Sequence, residues 1–147
     1  RVQMFMLLGV GVKVLRFFAA DVRLTSAGCV TRCLEPSLAV LRRRGAILVQ
    51  DGAKCHGSRA TAALLRAHRV SFIDDWPARS PDLNPVERVW ALIKREAGRQ
   101  SRGWREALEA ALAAAFAAVP PATVDAMALG FRDRLRAVAA NGGKTLS

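Results

Sequence analysis

Gln50-Asp51-Gly52-Ala53-Lys54-Cys55-His56 opens, and Trp76-Pro77-Ala78-Arg79-Ser80-Pro81-Asp82-Leu83-Asn84-Pro85-Val86-Glu87-Arg88-Val89-Trp90 closes, the stretch whose reading decides the fold. Asp51 follows a short apolar run at 46–50 that reads as a strand. Glu87 falls in the first turn of a helix, announced by Asn84 as N-cap and Pro85 at the first helical position. Thirty-five residues lie between the two acids. Two carboxylates delivered from rigid elements to one place can hold Mg²⁺, the usual requirement for chemistry on phosphodiesters.

Each acid also has a plain structural explanation. A glutamate at the third helical position can return a hydrogen bond to its N-cap, and an aspartate that ends a strand can start a turn. Val86, Val89, Trp90 and Ile93 form one apolar stripe at helical spacing. Glu87 lies about 110° from the centre of that stripe, so the helix does not oblige it to be buried. Asp51 is favoured for function by its place, because open α/β sheets gather ligands at the carboxyl ends of their strands.

Outward from this stretch, residues 2–8 and 13–18 are β-rich runs flanking Gly9-Val10-Gly11, which reads as a hairpin with a three-residue loop. Thr25 or Ser26 can cap a helix that Pro36 interrupts or restarts, and Arg42-Arg43-Arg44-Gly45 supplies cations and a glycine stop at its end. Ser58 can cap a helix over 59–68, residues 70–73 read as a short strand, and 74–83 as a proline-containing loop. Two alanine-rich helices follow. Trp104, Leu108, Leu112 and Phe116 line the first, which Pro120-Pro121 ends; Met127, Phe131, Leu135 and Val138 line the second, which Asn141-Gly142 stops. Strands separated by helices predict one α/β domain over 1–147, with the sheet and motif region in 1–99 and helices of the same domain in 100–147.

The chain's 147 residues suffice for one buried core, and 52% hydrophobic content exceeds what a disordered tail carries. Its formal charge of +11 rests on 19 arginines and 4 lysines against 12 acids. Arginine is the better bidentate partner for phosphate, so the balance favours a polyanion, most simply nucleic acid, although a high-GC genome inflates arginine and alanine too. The apolar run at 4–12 is far short of the ~20 residues a spanning helix needs, and no membrane partner is expected. Three cysteines, an odd number, argue for reduced thiols inside a cell. Cys29 and Cys33 stand one helical turn apart and could be joined by His56 or His68 at zinc, but the spacing matches no zinc module and buried free thiols are the better reading.

The pattern Gln50-Asp51-x-Ala53-x-Cys55-His56, then Trp76-Pro77-x-x-Ser80-Pro81-Asp82-Leu83-Asn84-Pro85-x-Glu87-x-x-Trp90, resembles the catalytic core of mariner-superfamily (Tc-type) DDE transposases. The hairpin at 9–11, the strand at 44–50 and the terminal segment at 134–143 resemble the same family in order. The resemblance implies a ribonuclease H-like mixed sheet flanked by helices, with a C-terminal helical pair. It implies cut-and-paste DNA transposition, with Mg²⁺ (or Mn²⁺) held in a two-metal site of the complete domain. Asp51 matches the family's second catalytic aspartate and Glu87 its final glutamate, each a catalytic residue and metal ligand. No protein nucleophile is needed, so Ser80, Cys55 and His56 read as structural; His56 and Lys94 remain candidates for contact with nucleic acid. DNA is the implied partner, two copies acting together the implied assembly, and the nucleus the implied place; no small-molecule cofactor is expected.

The sequence also departs from the family. Gly52 and Lys54 stand where asparagine and proline are common. The family's first catalytic aspartate lies on a strand before the hairpin, and here the hairpin opens the chain. The expectation is therefore an N-terminally truncated domain, inactive alone, without its central strand and without the upstream DNA-reading region. Of the acids before Asp51, only Asp21 and Glu35 are present, and Asp21 sits in a turn where it makes a poor substitute. Two half-sheets, or a rearranged direct pairing of them, should result. The alternative function is a non-enzymatic basic module that binds nucleic acid without using either acid.

Overall fold

Gln3–Gly9 (β1) and Val12–Phe18 (β2) pair antiparallel, Gln3 opposite Phe18 and Gly9 opposite Val12. The pairing of Gly9 with Val12 leaves Val10-Gly11 as the loop, one residue shorter than the sequence suggested. Gly11 takes a φ of 63°, a conformation that costs glycine nothing and a β-carbon dearly. This is a computed structural model, and it describes residues 2–44, 46–74, 76–77, 80, 83–100 and 104–144.

Contacts gather the chain into two compact units, one of Arg1–Ala20 with Pro81–Ser147 and one of Asp21–Ser80. The hairpin thus packs with helices that follow it by more than sixty residues in sequence.

In the first unit the hairpin meets Pro85–Gln100 (α4), Arg105–Ala118 (α5) and Pro121–Leu129 (α6). Strand alternation sends Met4, Met6, Leu8, Leu15 and Phe17 to one face, where they pack on Val89, Ile93 and Ala97 of α4, Leu112, Ala115 and Phe116 of α5, and Val124 of α6. Val89 and Ile93 are each 1% exposed, so the α4 stripe read from the sequence is the core face. Burying two such side chains contributes roughly 1.5–3 kcal/mol each. The hairpin tip is tied down as well, with Gly11 N–H donating to Asp125 Oδ1 at 2.7 Å.

Two expectations for the C-terminal helices need correction. Trp104 was placed on the buried stripe of α5, but it is the N-cap residue and is 86% exposed. The second helix of the expected pair is two helices, α6 and Phe131–Ala140 (α7), divided at Gly130. Gly130 serves as cap for both, and glycine is among the poorest residues for a helix interior. The predicted stop at Asn141-Gly142 is present as a Schellman motif: Gly143 N–H donates to Val138 O and Gly142 N–H to Ala139 O.

In the second unit Thr25 caps the first helix, Ser26–Cys29 (α1), its hydroxyl accepting from Gly28 N–H. The helical path continues through a π turn at Val30–Leu34 and a 3₁₀ turn at Glu35–Ser37 before Leu38–Arg44 (α2). Pro36 accounts for the irregularity, since it offers no N–H and its ring crowds the carbonyl four residues back. Ser37 Oγ, itself buried, donates to Cys33 O at 2.7 Å within this irregular stretch. Ile47–Leu48 (β3) then pairs parallel to Ser71–Phe72 (β4), with Arg59–Ala67 (α3) between them in sequence. Among the described residues the strands thus form two separate two-stranded sheets, the half-sheet arrangement expected. The glycine stop at Gly45 and most of the 78–82 segment lie outside the described residues. No single helix is long and apolar enough to cross a membrane among the described residues.

Candidate active site

Just past the carboxyl end of β3 the chain folds into a tight turn around Asp51. Asp51 Oδ1 accepts from Ala53 N–H at 3.1 Å, an aspartate turning its own backbone. His56 N–H and Gly57 N–H both donate to Ala53 O, closing the loop back on itself. The far side is anchored to α3: Thr61, only 1% exposed, donates its hydroxyl to Cys55 O at 2.8 Å. Ser58 caps α3 by accepting from Thr61 N–H, as the sequence predicted.

This turn brings the ring of His56 onto Asp51, with Nδ1 at 2.6 Å from Oδ1. The hydrogen bond from His56 holds the Asp51 carboxyl below its ordinary value, against the opposing pull of partial burial, and Ala53 N–H adds to the effect. Burial alone would make the imidazole less basic; its hydrogen bonds to Asp51 and Cys29 outweigh burial and lift His56 to about 9. Asp51 keeps 52% of its side chain exposed against 22% for His56. The second carboxylate oxygen has no hydrogen-bond partner among the described residues. Asp51 therefore offers one ionised, solvent-facing oxygen on a turn fixed at several points.

Behind His56 stands Cys29 of α1, 1% exposed. Its thiol is pushed up to about 12 by the hydrogen bond to Cys33 and by burial, with His56 pulling the other way. Cys29, His56 and Asp51 come in the order of a nucleophile, base and orienting acid. A buried thiol held in its protonated form is no nucleophile, however, and the trio is inert in that sense. Cys55 is raised as well, first by burial and then by its neighbour Cys29.

Glu87 belongs to the first unit. Its N–H donates to Asn84 O at 3.1 Å, and Asn84 Oδ1 accepts from Val86 N–H at 3.2 Å, so the N-cap predicted from the sequence is real. The return bond from the Glu87 carboxylate is not there; among the described residues this half-buried carboxylate has no hydrogen-bond partner. Capping does not account for it. Asp51 lies in the other unit.

Lys94 is exposed, with Nζ 5.3 Å from the centroid of the Trp90 ring, one turn back on α4. Asp21 sits exposed in the turn that opens the second unit. The zinc grouping considered from the sequence, Cys29 and Cys33 with His56 or His68, is not the one that forms. Cys29, Cys55 and His56 come together instead, with ligand atoms within 4.8 Å of one another.

Sequence reasoning missed Lys13. Its ammonium donates to Ala117 O at 3.1 Å and Val119 O at 2.6 Å, closing the C-terminus of α5, and lies 4.7 Å from the Phe116 centroid. Burial lowers its basicity. The signal was available: Lys13 stands opposite Leu8, in the inward register of an otherwise apolar hairpin face.

Comparison with known proteins identifies the family and the fold. The family model described as DDE superfamily endonuclease matches residues 1–109, which contain both Asp51 and Glu87. The chain is 31% identical over 88 residues to the Tc3 transposase of Caenorhabditis elegans, covering 58% of this chain and 26% of that protein. It is 31% identical over 103 residues to the Tc1 transposase of the same organism, covering 69% of this chain and 37% of that protein. The chain thus spans about a quarter to a third of these relatives. Among solved structures, the Mos1 mariner transposase catalytic domain aligns with a TM-score of 0.76 at 20% identity, over 91% of this chain and 70% of that one. The same domain with Raltegravir and Mg aligns at a TM-score of 0.74, covering 71% of that chain. The fold is that of this catalytic domain, ribonuclease H-like.

Proposed function

The chain belongs to the DDE superfamily endonuclease family, and on that premise we propose that it serves DNA transposition as catalytic-domain sequence of a cut-and-paste transposase. The observation that carries the reading is the match across residues 1–109, which takes in two carboxylates on the elements the chemistry needs. Asp51 stands past a parallel strand and Glu87 in the first turn of a helix.

Both acids suit a hard divalent cation. Asp51 is held ionised by His56 and Ala53 and keeps one oxygen free for a ligand. Glu87 carries a carboxylate that no described residue engages. In this reading Asp51 and Glu87 hold Mg²⁺ or Mn²⁺, a use of divalent metal supported by the Mos1 structures with Mg and with Mn. The bound metal would supply activation of water or a 3′-hydroxyl and stabilisation of the departing oxygen. The chain's own part is to hold Asp51 ionised, its carboxylate pinned by the His56 bond, and to carry Glu87 on the first turn of α4.

DNA is the substrate in this proposal, consistent with the +11 charge, and the site of action is the nucleus. Two copies would act together in the transposition complex. His56 is engaged with Asp51 and serves to orient it, whereas Lys94 is available on the surface for a phosphate. In the protein that carries this chain, Asp51→Asn or Glu87→Gln should abolish Mg²⁺-dependent nicking of duplex DNA while leaving the fold intact by circular dichroism. Nicking that survives either substitution would remove that residue from the site. A non-enzymatic basic module predicts that neither substitution matters to function.

A further inference from the structure

The trio of Cys29, Cys55 and His56 is unused by the proposed chemistry, which needs hard oxygen ligands and no thiol. We propose that these three side chains form a soft-metal site, of the zinc class, that fastens helix α1 to the turn carrying Asp51.

The argument starts with donor chemistry. Two thiols and one imidazole suit zinc and poorly suit magnesium or calcium. Their ligand atoms lie within 4.8 Å of one another, whereas ligands around tetrahedral zinc stand about 3.4–3.8 Å apart. Ligation therefore calls for an inward shift of about 1 Å by these side chains, of which Cys55 and His56 are only half-buried. All three residues belong to the same compact unit.

The supporting groups are also in place. With Nδ1 of His56 bonded to Asp51, Nε2 is the nitrogen left for a metal, and a carboxylate behind a ligating histidine is the common outer arrangement at zinc. The bond from Thr61 to the Cys55 carbonyl fixes the turn from which two ligands project. Cys29 is buried at 1% exposure while Cys55 and His56 are half-buried, which gives one deep anchor and an open path for the ion. Each thiol releases its proton to solvent as its sulfur ligates, and His56 gives up the proton on Nε2 as that nitrogen ligates, keeping Nδ1–H on Asp51. Two thiolates then balance the dication, and one position is left for water.

The site adjoins Asp51 through His56 but does not require Asp51 or Glu87 to ligate magnesium, and its test does not use nicking. The reduced, metal-stripped chain is titrated with Co²⁺, followed by its thiolate charge-transfer and tetrahedral absorption bands, and bound zinc is counted by elemental analysis. The expected result is about one ion per chain, with zinc displacing cobalt and raising Tm. Cys55→Ser should weaken binding on the order of 100-fold or more, Asp51→Asn about tenfold, and Cys33→Ser should leave the bands in place. Cys29→Ser tests the buried anchor, but it can disturb packing, so Cys55→Ser carries the decision. Absence of thiolate bands in folded protein, or bands that persist in Cys55→Ser, would overturn the site.

Discussion

Asp51 is pulled in two directions, and His56 decides the outcome. Partial burial favours the neutral acid, while the 2.6 Å contact to the imidazole favours the carboxylate and wins. The same contact gives a pH dependence with a definite sign. The folded pKa of His56, about 9, exceeds the ordinary 6.5, so its contribution is full below 6.5 and is lost as pH rises towards 9. Asp51 is lowered, so its share is present above its ordinary value and is lost only as strong acid protonates it. In reduced protein with chelator present, urea unfolding should show stability falling between pH 6.5 and 8.5. The fall should be on the order of 1 kcal/mol, discounted because Asp51 is half exposed. His56→Gln should flatten that slope, and an unchanged slope in the variant would assign it elsewhere. Lys13 makes a second residue-scale prediction. Lys13→Met keeps the stem against Phe116 but leaves the Ala117 and Val119 carbonyls unanswered, which should cost about 1–3 kcal/mol in urea midpoint.

Helix boundaries show what could be read from the sequence and what could not. Asn84, Ser58 and Thr25 each cap the helix the sequence assigned them, because a cap is a local event between a side chain and the next few N–H groups. The break at Gly130 escaped because apolar periodicity runs straight across it, from Met127 to Phe131. Trp104 escaped for a related reason: four-residue spacing names a face but not the position where the helix begins. The candidate site divides in the same way. Asp51, Glu87 and the turn at 51–57 were legible as motif, but the grouping of Cys29 and His56 with Cys55 rather than Cys33 was not, since it depends on packing between α1 and α3. Strand lengths carry a prediction of their own. β1 and β2 pair over seven positions and pack on the α4 core, while β3 and β4 pair over two. Amide exchange should therefore be slow at Leu7 and Val14, a hydrogen-bonded pair of the hairpin, and markedly faster at Leu48 and Ser71. Equal protection would mean that β3 and β4 have support beyond their own ladder. Ile93→Ala, which empties the centre of the α4 face, should cost about 2–5 kcal/mol.

At the scale of the whole molecule the governing quantity is charge. A net +11 spread over 147 residues repels itself, and the helices tolerate it through local pairs such as Arg105 with Glu109 at 2.7 Å, leaving most arginines to face solvent. Such a surface attracts a polyanion and releases the counterions of each phosphate it neutralises. If six to ten phosphates are engaged, affinity for duplex DNA should drop about 10³–10⁵-fold between 50 and 200 mM salt. Fluorescence anisotropy with a labelled duplex gives the slope of log affinity against log salt directly. Asp51→Asn and Glu87→Gln should leave that slope unchanged, since an acid that holds metal contributes nothing to phosphate neutralisation by arginine. Affinity insensitive to salt would reduce the arginine excess to a trait of composition. The proposed function assigns capture to the charge and cleavage to the two acids, so variants that bind with full salt dependence yet fail to nick would separate the two within one chain.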